Sequence, residues 1–146
     1  MRNTECGMKK VVFLTSLGWV GAIVSVRGIR RIALPKKNKK TVERELDNPE
    51  CKATNADMTH AGGSTILKKA VKLLQRYFSG ERVLFDLPLD LRYSTRFQRA
   101  VWKAVAGIPY GETRSYAWIA KRIRNPRASR AVGQAVGANP VPIIIP

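Results

Sequence analysis

The densest chemistry in this chain lies between residues 115 and 136. Asn125-Pro126 reads as an N-cap and a first helical position. The helix it would start carries Ala128, Ala131, Val132, Ala135 and Val136 inward, with Arg127, Arg130 and Gln134 pointing the other way. Ser115 caps a preceding short helix that bears Tyr116, Ile119, Ala120 and Ile123. Two short helices joined by a tight turn, the second small inside and basic outside, describe a helix-turn-helix. Small side chains at Ala128 and Ala131 let a backbone come close to DNA or to a neighbouring helix. Arg127 and Arg130 supply charge to phosphates or reach into a duplex. The plainer alternative is a packed helix pair with a solvated basic face.

Other chemistries are poorly supplied. The 146 residues hold two cysteines, Cys6 and Cys51, and one histidine, His60. Neither cysteine has a second ligand at metal spacing, so no metal site is expected. One histidine in a loop-like stretch gives little basis for a Ser-His-Asp or Cys-His site. Two cysteines could form one disulfide, but nothing requires it, and a reducing cytoplasm is the default. No cofactor is implied. The charge balance is informative: 27 Lys and Arg against 10 Asp and Glu give a net +17. Such an excess points to a polyanionic partner, nucleic acid before membrane.

The elements that must position these residues follow from pattern. Lys9-Lys10 and the apolar run to Val26 resemble a signal peptide, but Thr15, Ser16, Gly18 and Gly21 interrupt the run and no small-x-small site follows. Strands are the preferred reading: Val11–Ser16, Trp19–Val26 and Ile29–Leu34, with Arg27-Gly28 as a hairpin turn and Pro35 closing the third. Residues 36–63 are read as a solvated loop, with a short helix near Thr41–Leu46 as the alternative. Ser64 caps a helix with Ile66, Leu67, Ala70, Val71, Leu73, Leu74, Tyr77 and Phe78 in one stripe, stopped by Gly80. Val83–Phe85 could be a short strand, and Asp86–Asp90 reads as a linker. From Tyr93 onward nine Lys or Arg face one acid, Glu112. A helix from near Phe97 aligns Phe97, Ala100, Val101, Ala104 and Val105, and Ile108-Pro109-Tyr110-Gly111 turns the chain. The expected organisation is α+β, with a strand-rich domain over residues 8–92 and a winged-helix-like, helix-turn-helix domain over 93–146.

The stretches Phe97-Gln98 to Trp102-Lys103, Ile108-Pro109-Tyr110-Gly111-Glu112, Ser115-Tyr116, Arg130-Ala131-Val132-Gly133 and Ala138-Asn139-Pro140-Val141-Pro142-Ile143-Ile144-Ile145-Pro146 closely resemble the O(6)-alkylguanine-DNA alkyltransferases, also called methylated-DNA–protein-cysteine methyltransferases. The resemblance is dense over 93–146 and looser over 8–92. It implies direct reversal of DNA damage. The protein would bind the minor groove of double-stranded DNA, flip out an O(6)-alkylguanine and move the alkyl group to a cysteine thiolate, once per molecule. It implies that Arg130 inserts into the stack and that Tyr116 crowds the phosphate beside the target. Asn139 would join the recognition helix to an active-site strand and order its hydrogen bonds. Ala128, Ser129 and Ala131 would line the minor-groove approach beside Arg127 and Gln134, and Pro142 would wall the alkyl pocket. Plainer roles exist for three of these: Tyr116 as a core aromatic, Asn139 as an Asn-Pro turn former, Arg130 as surface charge.

One departure matters. The family's reactive Pro-Cys-His-Arg would begin at Pro146, and neither the thiol, its activating histidine nor the distal glutamate is among these residues. Neither Cys6 nor Cys51 lies in the motif. The sequence is therefore expected to be a C-terminal truncation, inactive in transfer, with apolar surface uncovered on its last helices and low stability. A non-catalytic binder of alkylated or general duplex DNA is the alternative. A helix-turn-helix regulator fits the charge but leaves the Ala138–Pro146 stretch without a reason. The expected state is a cytoplasmic monomer with no membrane association.

Overall fold

A computed structural model describes residues 8–47, 54–55 and 65–146. Cys6, Cys51, His60 and the expected cap Ser64 lie outside the described residues. The chain divides into two compact units at Asp90/Leu91.

The first unit is built on a twisted meander. Strands β1 (Lys9–Thr15), β2 (Gly18–Ser25) and β3 (Gly28–Lys36) pair antiparallel in sequence. The two-residue β4 (Thr54–Asn55) pairs parallel with the start of β1, so the sheet order is β3-β2-β1-β4. The β2–β3 turn sits one residue earlier than the sequence reading placed it. Gly28 already pairs with Ser25, so Val26 and Arg27 make the turn. Nor does Pro35 close β3. The strand runs through it to Lys36, and a register shift between Trp19 and Gly21 of β2 absorbs an extra residue there. An edge strand with a bulge is where the sheet can tolerate a missing backbone donor.

Helix α1 (Lys39–Leu46) replaces the expected solvated loop over these residues. Asn38 caps it, its side-chain oxygen accepting from Lys40 N at 2.9 Å. The alternative of a short helix near Thr41–Leu46 is the one observed; its sequence signal is weak because only Val42 and Leu46, four residues apart, are buried. Both are fully buried and cluster with Met8, Ile23 and Ala33. Alternation sends Val20, Ala22 and Val24 to the opposite face, where α2 (Thr65–Phe78) packs and buries Leu67, Ala70, Val71, Leu74 and Phe78. Burying each of the larger side chains among these contributes about 1.5–3 kcal/mol.

The stretch before residue 91 is neither a strand at Val83–Phe85 nor a free linker. Leu89 bridges Ile29. Ile29 N donates to Pro88 O and Asp90 N to Ile29 O, both at 2.8 Å. Asp90 is 3% exposed and accepts from Ser25 Oγ at 2.6 Å. This strap crosses directly over Gly28, where an added Cβ would stand 2.3 Å from Pro88 O. Only glycine fits that approach, and its φ of +155° also favours glycine.

The second unit is helical: α3 (Arg96–Ala106), α4 (Tyr116–Arg122) and α5 (Ser129–Gly137). Thr95 and Gln98 form a reciprocal capping box at the start of α3. Val101, Trp102, Ala104 and Val105 of α3 bury against Ile119 and Ala120 of α4 and Val132 and Ala135 of α5. Sheet-plus-helix and helical units together make the chain α+β. No described helix is long and apolar enough to cross a membrane.

Candidate nucleic-acid interface

The segment joining α4 to α5 sets the geometry of the basic face. Ser115 Oγ accepts from Trp118 N at 3.1 Å and fixes where α4 starts. Its C-terminus closes with two crossing bonds: Asn125 N to Ala120 O at 2.9 Å and Arg124 N to Lys121 O at 3.0 Å. This is a Schellman motif, which needs a left-handed residue after the cap. Arg124 supplies it with φ 60°, a conformation that costs a non-glycine residue about 1–2 kcal/mol.

The Asn125-Pro126 expectation is corrected here. The two residues do not start the last helix. They form a turn closed by Ala128 N to Asn125 O at 3.0 Å, and the helix begins at Ser129 with Ala128 as N-cap. Arg124 had already ended α4, leaving room for a full turn. A second correction concerns Ala131, which faces outward rather than into the helix pair.

The exposed stripe of this segment is therefore Arg127, in the turn just before α5, followed by Arg130, Ala131 and Gln134 on the helix. Ala128 and Ser129 are half-buried at its edge. Among the described residues no carboxylate pairs with Arg124, Arg127 or Arg130. The unit's one acid, Glu112, is engaged by Arg114. The middle of the stripe is flat, because Ala131 adds only a methyl group. A backbone or a base edge can reach α5 there without meeting a long side chain.

Tyr116 is 51% exposed at the first turn of α4. Its ring packs against Gly133 of α5, where an added Cβ would come within 3.1 Å of Cε2 and 3.3 Å of Cδ2. Gly133 thus lets the two helices meet through the tyrosine ring, an arrangement the sequence reading did not single out. A small residue three positions after Arg130 was the available signal. Trp118, two residues along α4, is flanked by the Arg114 and Arg122 guanidiniums at 5.4 and 5.5 Å from its ring centroid.

Asn139 works with both ends of its amide. Its oxygen accepts from Val141 N at 2.9 Å and its nitrogen donates to Ile145 O at 2.8 Å. Residues 141–145 form a tight turn rather than a strand. Ile145 N donates to Val141 O at 3.1 Å, Pro142 and Ile145 bridge, and Ile143 turns the chain at φ 77°. A β-branched residue at positive φ is strained. The Asn139 bonds and the burial of Val141 and Ile145 hold it. Pro142 lies half-buried in this turn. The structure thus gathers Arg130, Ala131 and Gln134 on the exposed side of α5 with Arg127 in the turn just before it, sets Tyr116 beside that helix at Gly133, and puts Asn139 and Pro142 just past its far end.

The last carbonyls of α5 have no intrahelical donor. Trp102 Nε1 crosses from α3 to serve Ala135 O at 2.7 Å, with the indole 2% exposed. This bond fixes α5 from behind, away from its exposed stripe.

Comparison with known proteins gives this arrangement a context. Residues 96–146 match the 6-O-methylguanine DNA methyltransferase DNA binding domain, and residues 25–91 match the ribonuclease-like domain of the same proteins. A methylated-DNA–protein-cysteine methyltransferase of Mycolicibacterium paratuberculosis is 57% identical over 77 residues, covering 53% of this chain and 46% of that protein. The match thus spans about half the length of such curated relatives. The crystal structure of the Mycobacterium tuberculosis O6-methylguanine methyltransferase is similar, with a TM-score of 0.72 and 34% identity over 95% of this chain and 75% of that one. A structure of the Mycobacterium tuberculosis protein in complex with DNA superposes with a TM-score of 0.73, also at 34% identity, over 94% of this chain and 74% of that one. Both domains are matched in the same order as in these proteins, and the chain belongs to the O(6)-alkylguanine-DNA alkyltransferase family.

Proposed function

We propose that this chain is a DNA-repair protein of that family and that residues 91–146 dock it on damaged duplex DNA. The observation that carries the reading is the exposed stripe of α5. It is cationic and flat in the middle, has no carboxylate partner, and is anchored from behind by Trp102. Arg127 contacts the backbone, Arg130 enters the stack beside the target base, and Ala131 permits close approach in the minor groove. Gln134 and the half-buried Ala128 and Ser129 complete that surface. Tyr116, held against Gly133, meets the phosphate next to the extruded O(6)-alkylguanine. Asn139 orders the turn that carries Pro142, the wall of the alkyl pocket. Flipping is required because the alkylated oxygen is out of reach within a stacked duplex.

In the family's reaction a cysteine thiolate attacks the alkyl carbon. The S–C bond forms, the carbon–O6 bond breaks, and guanine leaves with its carbonyl restored. The thiolate must be generated by a neighbouring base. Cys6 and Cys51 lie outside the helical unit, and the role proposed for these 146 residues is recognition of the lesion rather than transfer. The protein acts as a monomer in the cytoplasm and needs no metal or cofactor.

The test pairs two assays on the 146-residue polypeptide. A duplex carrying one O(6)-methylguanine is expected to bind more tightly than the unmodified duplex, and labelled methyl is expected to stay on the DNA. Equal affinity for both duplexes with a steep salt dependence would reduce the chain to a general polycation. One equivalent of methyl on the protein would overturn the assignment of a non-catalytic role.

A further inference from the structure

The two helices of the sheet unit carry their cations differently. On α1, Lys39 pairs with Glu43, and Glu45 meets Lys36 of β3. Helix α2 contains no acid in its 14 residues. Its solvent face is Thr65, Lys68, Lys69, Lys72, Gln75 and Arg76, all exposed. Lys69 reaches Asp86, and Arg76 reaches Glu81 at 2.6 Å. Among the described residues Lys68 and Lys72 have no carboxylate partner. Lys68, Lys72 and Arg76 follow one another at i, i+4 and i+8, a ridge about 12 Å long. Like charges at that spacing repel and destabilise a helix, so folding gives no reason for the pattern.

We infer that the outer face of α2 is a second polyanion-binding surface, one that takes the sugar–phosphate backbone of duplex DNA independently of α5. A linear row of flexible ammonium groups flanked by Thr65 and Gln75 suits a line of phosphates, which need charge and donors but no fixed geometry. A membrane surface suits it less. An interfacial helix must sink its apolar face into lipid, and the apolar face of α2 is spent on the sheet, with Leu67, Ala70 and Leu74 fully buried. The contact carries no sequence or lesion information. It would hold the protein on undamaged duplex while the other unit samples bases.

The test is the salt dependence of binding to an unmodified duplex, measured on the full chain. Lys68→Ala/Lys72→Ala is expected to reduce the slope of log K against log salt by about 1.8, since each phosphate contact contributes about 0.9. In an Arg127→Ala/Arg130→Ala background the same pair is expected to remove a further equal amount. That separates this surface from the α5 reading, which fails or stands on lesion preference alone. Alanine at exposed helix positions favours the helix, and an unchanged thermal melt confirms folding. Lys37→Ala/Lys40→Ala removes the same charge elsewhere and is expected to leave the slope unchanged. The inference is overturned by an unaltered slope in the α2 variant, or by an equal fall in the Lys37/Lys40 variant. It is also overturned if the α2 variant keeps its DNA slope but loses binding to vesicles of about 30% phosphatidylserine, which would make the surface a lipid site.

Discussion

In the sheet unit Lys10, Lys36, Lys39, Lys69 and Arg76 each meet a carboxylate; in the helical unit Arg114 meets Glu112, the one acidic residue there. Nine of the ten acids precede residue 91. Exposed ion pairs contribute little to stability, about 0–1 kcal/mol, so the difference is not about holding the fold. Pairing cancels the field at a surface, while unpaired cations project it to long range. The distribution of acids thus marks where a polyanion is attracted. The cores differ as well. The sheet unit is filled by Ile29, Leu46, Leu67 and Leu74, whereas the helical unit closes on valines, alanines, Ile119 and Ile145 around one buried aromatic, Trp102. With less apolar volume to bury, the helical unit relies on individual hydrogen-bonded locks.

That contrast can be broken in a definite order. Trp102→Ala is expected to cost about 3–5 kcal/mol, from lost packing and an orphaned Ala135 carbonyl. Hydrogen exchange should then rise across residues 96–137 while residues 9–36 keep their protection. Uniform loss in both units would mean that they do not unfold separately. Gly28→Ala is the counterpart in the sheet unit, expected to cost about 3 kcal/mol because Pro88 O cannot move away and the backbone conformation is unfavourable. Urea unfolding should report it, with faster exchange at the Ile29 and Asp90 amides. Asn139→Ala removes both amide bonds and is expected to cost about 2 kcal/mol; exchange at Val141 is the local readout. Arg124→Gly is the smallest and runs the other way. Release of left-handed strain is offset in part by a freer unfolded chain, leaving a gain of up to about 1 kcal/mol. A lower melting temperature would contradict that account of the cap.

What the sequence made legible were features with local causes. The stripe from Ile66 to Phe78 and the stop at Gly80 place α2 because period and breaker coincide. Ser115 places α4 because its hydroxyl serves an amide three residues on. Other features depend on partners distant in sequence. Val42 and Leu46 are too few to show an amphipathic period, and only the sheet's need for a cover makes them a helix. Pro35 looks like a terminator until the bulge beside Trp19 is known. Asn125-Pro126 has every local mark of a helix start, but Arg124 at φ 60° ends α4 in such a way that those residues are used for a turn. The basic stripe on α5 was legible from spacing, apart from the facing of Ala131. The seat of Tyr116 on Gly133 was not, because it depends on how closely two helices approach.

The Trp102 bond to Ala135 also gives the protein an optical handle. The chain has three tryptophans, Trp19, Trp102 and Trp118. Trp118 sits between two guanidiniums on α4, and Trp19 lies in the sheet unit. Trp102 is the one whose indole hydrogen is held by the last turn of α5. Any rotation or slide of that helix stretches the bond and changes the polarity around an otherwise dry chromophore. Replacing Trp19 and Trp118 with phenylalanine would leave a single emitter whose wavelength and lifetime follow the helix as a duplex arrives, with no dye attached.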